Sequence, residues 1–201
     1  MVSIDDSGSE TKCWLNYPNE IDKLATEARS SAWKRRIAVL LMGKVGLRAS
    51  GVLTAKPEGL TFNEEGGYWQ LEVKGKNTKE NGEGKATRQA YVPDSVHQEL
   101  DNYAKERDIS PSEPFIGASV DSVRRWIREA REPLAESFDD NWAEVSSHDL
   151  RRSWANYHLV EEEVNPRVMM DIGGWSSYAA LEPYLHKPSS EKIAEEMGGI
   201  I

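Results

Sequence analysis

The order in which local patterns change along the chain constrains its fold more than any other feature. Helix-like segments come first, three strand-like runs follow one another, and helix-like segments then return. Leu60-Thr61-Phe62, Tyr68-Trp69-Gln70-Leu71-Glu72-Val73 and Gln89-Ala90-Tyr91-Val92 are short and rich in strand-favouring residues. Gly66-Gly67 supplies the first turn between them, and residues 76–85, with Asn81-Gly82, a longer second one. Strands grouped together and flanked by helices predict an α+β fold, mostly α: a helical domain with a small three-stranded antiparallel sheet.

The flanking segments carry helix start and stop signals. Pro18-Asn19-Glu20 begins a helix to about Ser30, and Ser31 can cap a second, Ala32 to Met42, with Trp33, Ile37, Leu40 and Leu41 on one face. Gly43 and Gly46 end it. After the sheet, Pro93-Asp94 opens a helix to about Arg107. Ser119 or Asp121 opens one to about Arg131, and Pro133 falls in the loop that follows. Ser146-Ser147 caps a helix through Leu159, Asn165-Pro166 starts a short one to about Ile172, and Gly173-Gly174 breaks it. Another short helix spans Tyr178 to Tyr184, and Ser189 or Ser190 caps the last, to Met197. Met1 to Asn16, polar and acidic at its start, reads as a loose tail. The expected organisation is a flexible tail over residues 1–18, one domain over 19–188, and a C-terminal helix or tail over 189–201.

The formal net charge of -9 argues against a phosphate-bearing partner, which needs local cations. That average hides clusters: Lys34-Arg35-Arg36; Lys74, Lys76, Lys79, Lys85 and Arg88; Arg124, Arg125, Arg128 and Arg131; Arg151-Arg152. The acids sit largely elsewhere, as in Glu161-Glu162-Glu163. Ile37 to Met42, the longest apolar run, is far too short to span a bilayer, and the acidic start is no secretory signal. A lone cysteine, Cys13, forms no internal disulfide and no multi-thiolate metal site, which points to a reducing cytoplasm.

Single residues carry little chemistry by themselves. His148 and Arg151, three apart after a serine pair, fall on one face near a helix N-terminus, a place suited to phosphate. Taken alone, they are as readily an ordinary histidine and a surface arginine. The same holds for Arg48 in Gly46-Leu47-Arg48-Ala49-Ser50, for Lys76 in a turn, for Trp175 after Gly-Gly, and for Tyr184 in Glu-Pro-Tyr-Leu-His. Their joint order is informative. Gly-Leu-Arg-x-Ser, a lysine in a β-turn, His-x-x-Arg, Gly-Trp and then a tyrosine resembles the active-site series of the tyrosine recombinases, the phage integrase family. Tyr184 stands nine positions after Trp175, as the family's tyrosine does after its Gly-linked His or Trp, and His186 follows two positions later. The run His148-Asp149-Leu150-Arg151-Arg152-Ser153-Trp154-Ala155 is close to the family's His-x-Leu-Arg box. The resemblance extends from about Ala32 to His186.

The resemblance implies the tyrosine recombinase catalytic fold and site-specific breakage and rejoining of double-stranded DNA. Tyr184 attacks a phosphodiester and leaves a covalent 3′-phosphotyrosyl link. Arg48 and Arg151 clamp the non-bridging oxygens with charge-assisted hydrogen bonds, and Trp175 adds its indole N–H. Lys76 protonates the leaving 5′ oxygen, and His148 assists proton transfer at the tyrosine. No metal, ATP or other cofactor is implied. Lys74, Lys79, Lys85, Arg88, Arg124, Arg125, Arg128 and Arg152 are expected to bind DNA. The implied protein is free as a monomer and tetrameric in a DNA synapse, with accessory DNA-binding proteins as further partners. It works without a membrane, on the nucleoid in the cytoplasm. An acidic surface suits a high-salt cell, so the expected source is haloarchaeal.

This chain departs from the family at particular places. Gly51 stands where many relatives have an acidic residue, and Gly84-Lys85 rivals Gly75-Lys76 as the hairpin lysine. Most relatives have an N-terminal helical domain, so the chain is expected to be a fragment or a minimal recombinase. Ser190 to Ile201, apolar at Ile193, Met197, Ile200 and Ile201, can dock on a neighbouring protomer or on its own domain. Competing readings are topoisomerase IB-like relaxation of DNA, a decayed integrase that binds DNA without cutting, and an acidic helical interaction protein.

Overall fold

The computed structural model describes residues 1–6, 8, 10–74, 87–186 and 190–198. A hairpin of β1 (Ser3–Asp5) and β2 (Lys12–Trp14) comes first, followed by α1 (Asn19–Ser31), α2 (Trp33–Gly43) and the short α3 (Ala49–Val52). The sheet strands β3 (Leu60–Asn63), β4 (Tyr68–Lys74) and β5 (Thr87–Val92) form an antiparallel meander in the order β3-β4-β5. The helices α4 (Asp94–Glu106), α5 (Val120–Ser137), α6 (Ser147–Asn156), α7 (Pro166–Gly173), α8 (Tyr178–Leu181) and α9 (Ser190–Gly198) complete the described chain. This is the α+β, mostly helical fold that the order of patterns predicts.

Helix α2 is the centre of the core. Its residues from Ile37 to Gly43 are all buried, and it packs against α1, α4, α5 and α6. The sheet joins this core through alternate residues, since Leu71 and Val73 on β4 and Ala90 and Val92 on β5 are buried on one face. A smaller cluster of Trp154, Ala155, Met169, Trp175 and Leu181 lies beneath α6, α7 and α8, with Tyr184 packed against it.

The expected loose tail is instead structured. Ser3 pairs with Trp14 and Asp5 with Lys12. Val2, Cys13, Trp14 and Leu15 are buried. Cys13 N–H donates to Asp149 Oδ1 at 3.1 Å and Leu15 N–H to Ser153 Oγ at 2.8 Å, which ties β2 to α6. The polar and acidic residues around them obscured Val2, Cys13, Trp14 and Leu15, which are buried, with β2 packed against α6.

Four other boundaries differ from expectation. Helix α5 runs through Pro133 to Ser137 rather than stopping near Arg131. A proline there costs a hydrogen bond, about 3 kcal/mol, but burial of Leu134 one residue later rewards continuing the helix. Ser31 lies inside α1, and α2 starts after an extended Ala32 with no side-chain cap. The helix expected through Leu159 is α-helical only to Asn156 and then widens to a π turn over Tyr157–Glu161. Likewise the segment from Tyr178 tightens to a 3-10 turn over Glu182–Tyr184, where Pro183 lacks the donor an α-helix needs.

Gly46 sets the approach of α2 to the rest of the fold. Its φ of 71° is left-handed, and a Cβ there would lie 2.3 Å from the Trp154 ring. Gly46→Ala is expected to cost about 2–4 kcal/mol, from left-handed strain plus displacement of a buried indole. Urea denaturation measures it; an unchanged midpoint would show that the indole moves aside freely.

Candidate active site

The site is built around the start of α6. Ser146 precedes it, and Asp149 in the first turn accepts from the Ser146 N–H at 2.8 Å and from its hydroxyl at 2.6 Å. Asp149 is 1% exposed and also accepts from Cys13 N–H and Arg152, so this first-turn acid is a buried anchor. With this turn fixed, His148 and Arg151 project from one face of α6.

Arg151 is fully buried. One terminal nitrogen donates to the Gly46 carbonyl and the other to the Gly173 carbonyl at 2.7 Å. Its Cζ sits 4.0 Å from the Trp175 ring centroid and 5.6 Å from that of Tyr184. The two carbonyls belong to the segments that lead into Arg48 and Trp175, so one guanidinium draws both to the pocket. The Tyr184 ring meets Trp175 edge-on at 5.0 Å and lies 5.0 Å from the His148 ring. Arg151, His148, Trp175 and Tyr184 are therefore neighbours, although they come from α6, the turn after α7 and the turn after α8.

Arg48 precedes α3 and lines a cavity of about 440 Å³. Arg124, Arg128, Arg131, Ser146, His148 and Arg151 also line this cavity. Arg88 reaches the same region from the start of β5. A Cβ on Gly174 would come within 2.5 Å of its Cδ, so the side chain lies across the glycine backbone.

The electrostatics follow from crowding cations in a half-buried space. Burial lowers the pKa values of Arg151 and Arg88, and the Arg48 guanidinium lowers both further. The Tyr184 phenol partly offsets this at Arg151, and Asp171 does so at Arg88. Arginine stays charged in proteins, so the result is a pocket of unreleased positive potential. Burial, then Arg152, Arg151 and Arg48, pull the His148 imidazole from 6.5 down to about 4. Three buried donors here have no hydrogen-bond partner among the described residues: Arg151 Nε, the Trp175 indole N–H and one terminal nitrogen of Arg88. Unpaired buried donors are costly unless a ligand completes them.

The structure sorts the remaining sequence expectations. Arg124 and Arg128 face the cavity, whereas Arg125 is exposed and pairs with Glu129 at 3.4 Å. Arg152 is not on the surface expected for a DNA contact: it is 7% exposed and ion-paired with Asp149, because the helix turns it toward the N-terminal hairpin. Lys74 is exposed at the end of β4. Lys76, Lys79 and Lys85 lie outside the described residues. Sequence reasoning placed Arg88 among general DNA contacts and Arg131 in no site. Strand alternation with buried Ala90 and Val92 is the signal that puts Arg88 on the inward face. Among the described residues, no group of three or more His, Cys, Asp or Glu is placed to hold a metal ion, and no helix is long and apolar enough to cross a membrane.

Known proteins share this arrangement of chain. The sequence profile of the Phage integrase family matches residues 16–191. A tyrosine recombinase of Pseudothermotoga lettingae is 25% identical over 180 residues, covering 88% of this chain and 57% of its own. Tyrosine recombinase XerA of Pyrococcus furiosus is 28% identical over 171 residues, covering 82% of this chain and 54% of its own. The chain thus spans little more than half the length of these curated relatives. A crystal structure of XerA recombinase superposes with a TM-score of 0.70 at 18% identity, over 93% of this chain and 64% of that one. A lambda integrase dimer bound to a core site gives 0.60 at 22% identity, over 84% of this chain and 47% of that one, which shows a shared fold. With the profile matched across most of its length, the chain belongs to the phage integrase family.

Proposed function

We propose that this chain is the catalytic part of a site-specific DNA recombinase that cuts and rejoins strands through a 3′-phosphotyrosyl intermediate on Tyr184. The observation that carries this is that the Tyr184 phenol, the His148 imidazole, the Trp175 indole and the Arg151 guanidinium are mutual neighbours, and that His148 and Arg151 also line a cavity rich in arginines. Relatives of this fold have been solved on DNA, among them XerH recombinase with its difH substrate. Double-stranded DNA is the partner that this chemistry fits, and a multimeric synapse is its working form.

The proposed roles follow from chemistry. A phosphodiester attacked by a phenol gains charge on its non-bridging oxygens. Arg48 and Arg151 oppose that charge, and Trp175 offers its unpaired N–H. Arg88 adds a third guanidinium from the sheet side, with an unpaired nitrogen of its own. His148 is neutral at pH 7, so it can accept the phenolic proton as Tyr184 attacks. The 5′ oxygen departs with a proton from the hairpin between β4 and β5, where Lys76 and Lys85 are the candidates. Water and metal are not needed to store the bond energy, because the phosphotyrosine keeps it for a second 5′-hydroxyl to reclaim.

Covalent trapping on a pool of nicked duplexes of randomised sequence tests the proposal. Wild type should give a denaturation-resistant protein–DNA adduct, whose sequencing also reports the site, and Tyr184→Phe should give none. Arg88→Ala should slow adduct formation roughly 100-fold, the usual effect of losing one transition-state donor. Adduct from Tyr184→Phe would remove the nucleophile assignment; DNA binding without any wild-type adduct would favour a non-cutting remnant.

The depressed His148 pKa has a consequence for stability. Between pH 6.5 and about 4 the unfolded chain holds a proton on His148 that the folded chain lacks. Stability therefore falls as pH drops through that window and is unaffected by this group above it. Urea midpoints should decline more steeply there for wild type than for His148→Gln. Parallel declines would mean that His148 titrates normally.

A further inference from the structure

Tyr184 has little local structure to hold it. It ends the three-residue turn Glu182–Tyr184, whose last backbone bond runs from Leu185 N–H to the Glu182 carbonyl at 3.0 Å. Pro183 contributes no donor to that turn. The ties that fix its backbone come from far away in sequence. Trp14 donates its indole N–H to the Tyr184 carbonyl at 3.0 Å. The Trp14 ring also lies 4.6 Å from the His186 ring, and His186 N–H donates to Asn156 Oδ1 at 2.8 Å.

Trp14 is itself well fixed. It is 6% exposed and paired with Ser3 in the hairpin. Its neighbours Cys13 and Leu15 bond through their N–H groups to Asp149 and Ser153 on α6. One strand, β2, thus holds both the helix that presents His148 and Arg151 and the turn that presents Tyr184. It acts as a jig between the phenol and the phosphate-binding groups.

We propose that Trp14 is a positioning residue for the nucleophile, acting through its hydrogen bond to the Tyr184 carbonyl and its contact with His186. The inference rests on Tyr184 being the nucleophile. It adds that the N-terminal hairpin belongs to the catalytic apparatus and not only to the core. Effective attack requires the reacting atoms to be about 3–3.5 Å apart and aligned, and a misplacement of about 1 Å can cost 100-fold in rate. A turn of three residues cannot supply that precision by itself.

Two replacements at position 14 test this. Trp14→Phe keeps an aromatic ring but removes the donor. Benzothienylalanine, introduced at the same position, keeps the bicyclic shape and replaces N–H by sulfur. Both should slow single-turnover adduct formation on the duplex enriched from the nicked pool, by roughly 10- to 100-fold. Affinity for that duplex, measured in a Tyr184→Phe background, should stay within about twofold, which separates positioning from binding. A second readout needs no cleavage: the ring resonance of 13C-tyrosine-labelled protein that Tyr184→Phe abolishes should be single in wild type and broadened or doubled in both replacements. If Trp14→Phe does not fold, the benzothienylalanine protein decides. An unchanged rate and an unchanged Tyr184 resonance overturn the positioning role while leaving the nucleophile assignment intact. Adduct from Tyr184→Phe removes that assignment whatever Trp14 does.

Discussion

The site depends on how the buried Arg151 guanidinium is satisfied. Among the described residues, no carboxylate pairs with it; two backbone carbonyls and an aromatic face hold it instead. A carboxylate would neutralise the charge and leave nothing for an incoming phosphate. Carbonyl dipoles orient the fork without cancelling its charge, so the guanidinium remains electrostatically open on its unpaired Nε side. Burying such a charge costs several kcal/mol, a cost that the proposed anionic ligand would offset.

The same two bonds explain how distant segments are brought into register. Gly46 and Gly173 each offer a carbonyl close to a residue of the site, Arg48 in one case and Trp175 in the other. Neither position tolerates a side chain without disturbing an indole: a Cβ would lie 2.3 Å from Trp154 at Gly46 and 1.9 Å from Trp175 at Gly173. The glycines are needed because backbone and ring approach closely there. Net charge says little about such a place. The acids that make the chain negative pair with peripheral cations, as Glu129 does with Arg35 and Arg125, while the cavity is lined by arginines.

Much of this was legible in the sequence, for identifiable reasons. The switch from helical to strand patterns gave the architecture, because each element buries one face and its spacing records which. The ordered series from Arg48 to Tyr184 pointed to a common pocket that includes Arg151, His148, Trp175 and the tyrosine. What could not be read were features decided by tertiary packing. Arg152 sits beside Arg151 in sequence yet turns to Asp149 and the hairpin, since adjacent helical positions point about 100° apart. The continuation of α5 past Pro133 depends on a neighbour for Leu134 that local propensity does not contain. The hairpin was hidden because Val2, Cys13 and Leu15 look like isolated apolar residues until α6 is set beside them.

That hairpin changes how the site's rigidity should be understood. Cys13 and Leu15 attach to α6 through backbone N–H groups, so their side chains are free to serve the core. Trp14 attaches to the tyrosine turn through a side-chain donor and a backbone acceptor. Arg151 attaches to its two loops in the same way. At each of these junctions one partner is main chain, whose position the surrounding element fixes at no further rotamer cost. A lysine could not replace Arg151 in such a scheme: one ammonium cannot span two carbonyls set by different loops, lie flat on an indole and still leave a donor for phosphate. The planar, five-donor guanidinium meets all three demands at once, and the geometry of the pocket follows from that shape.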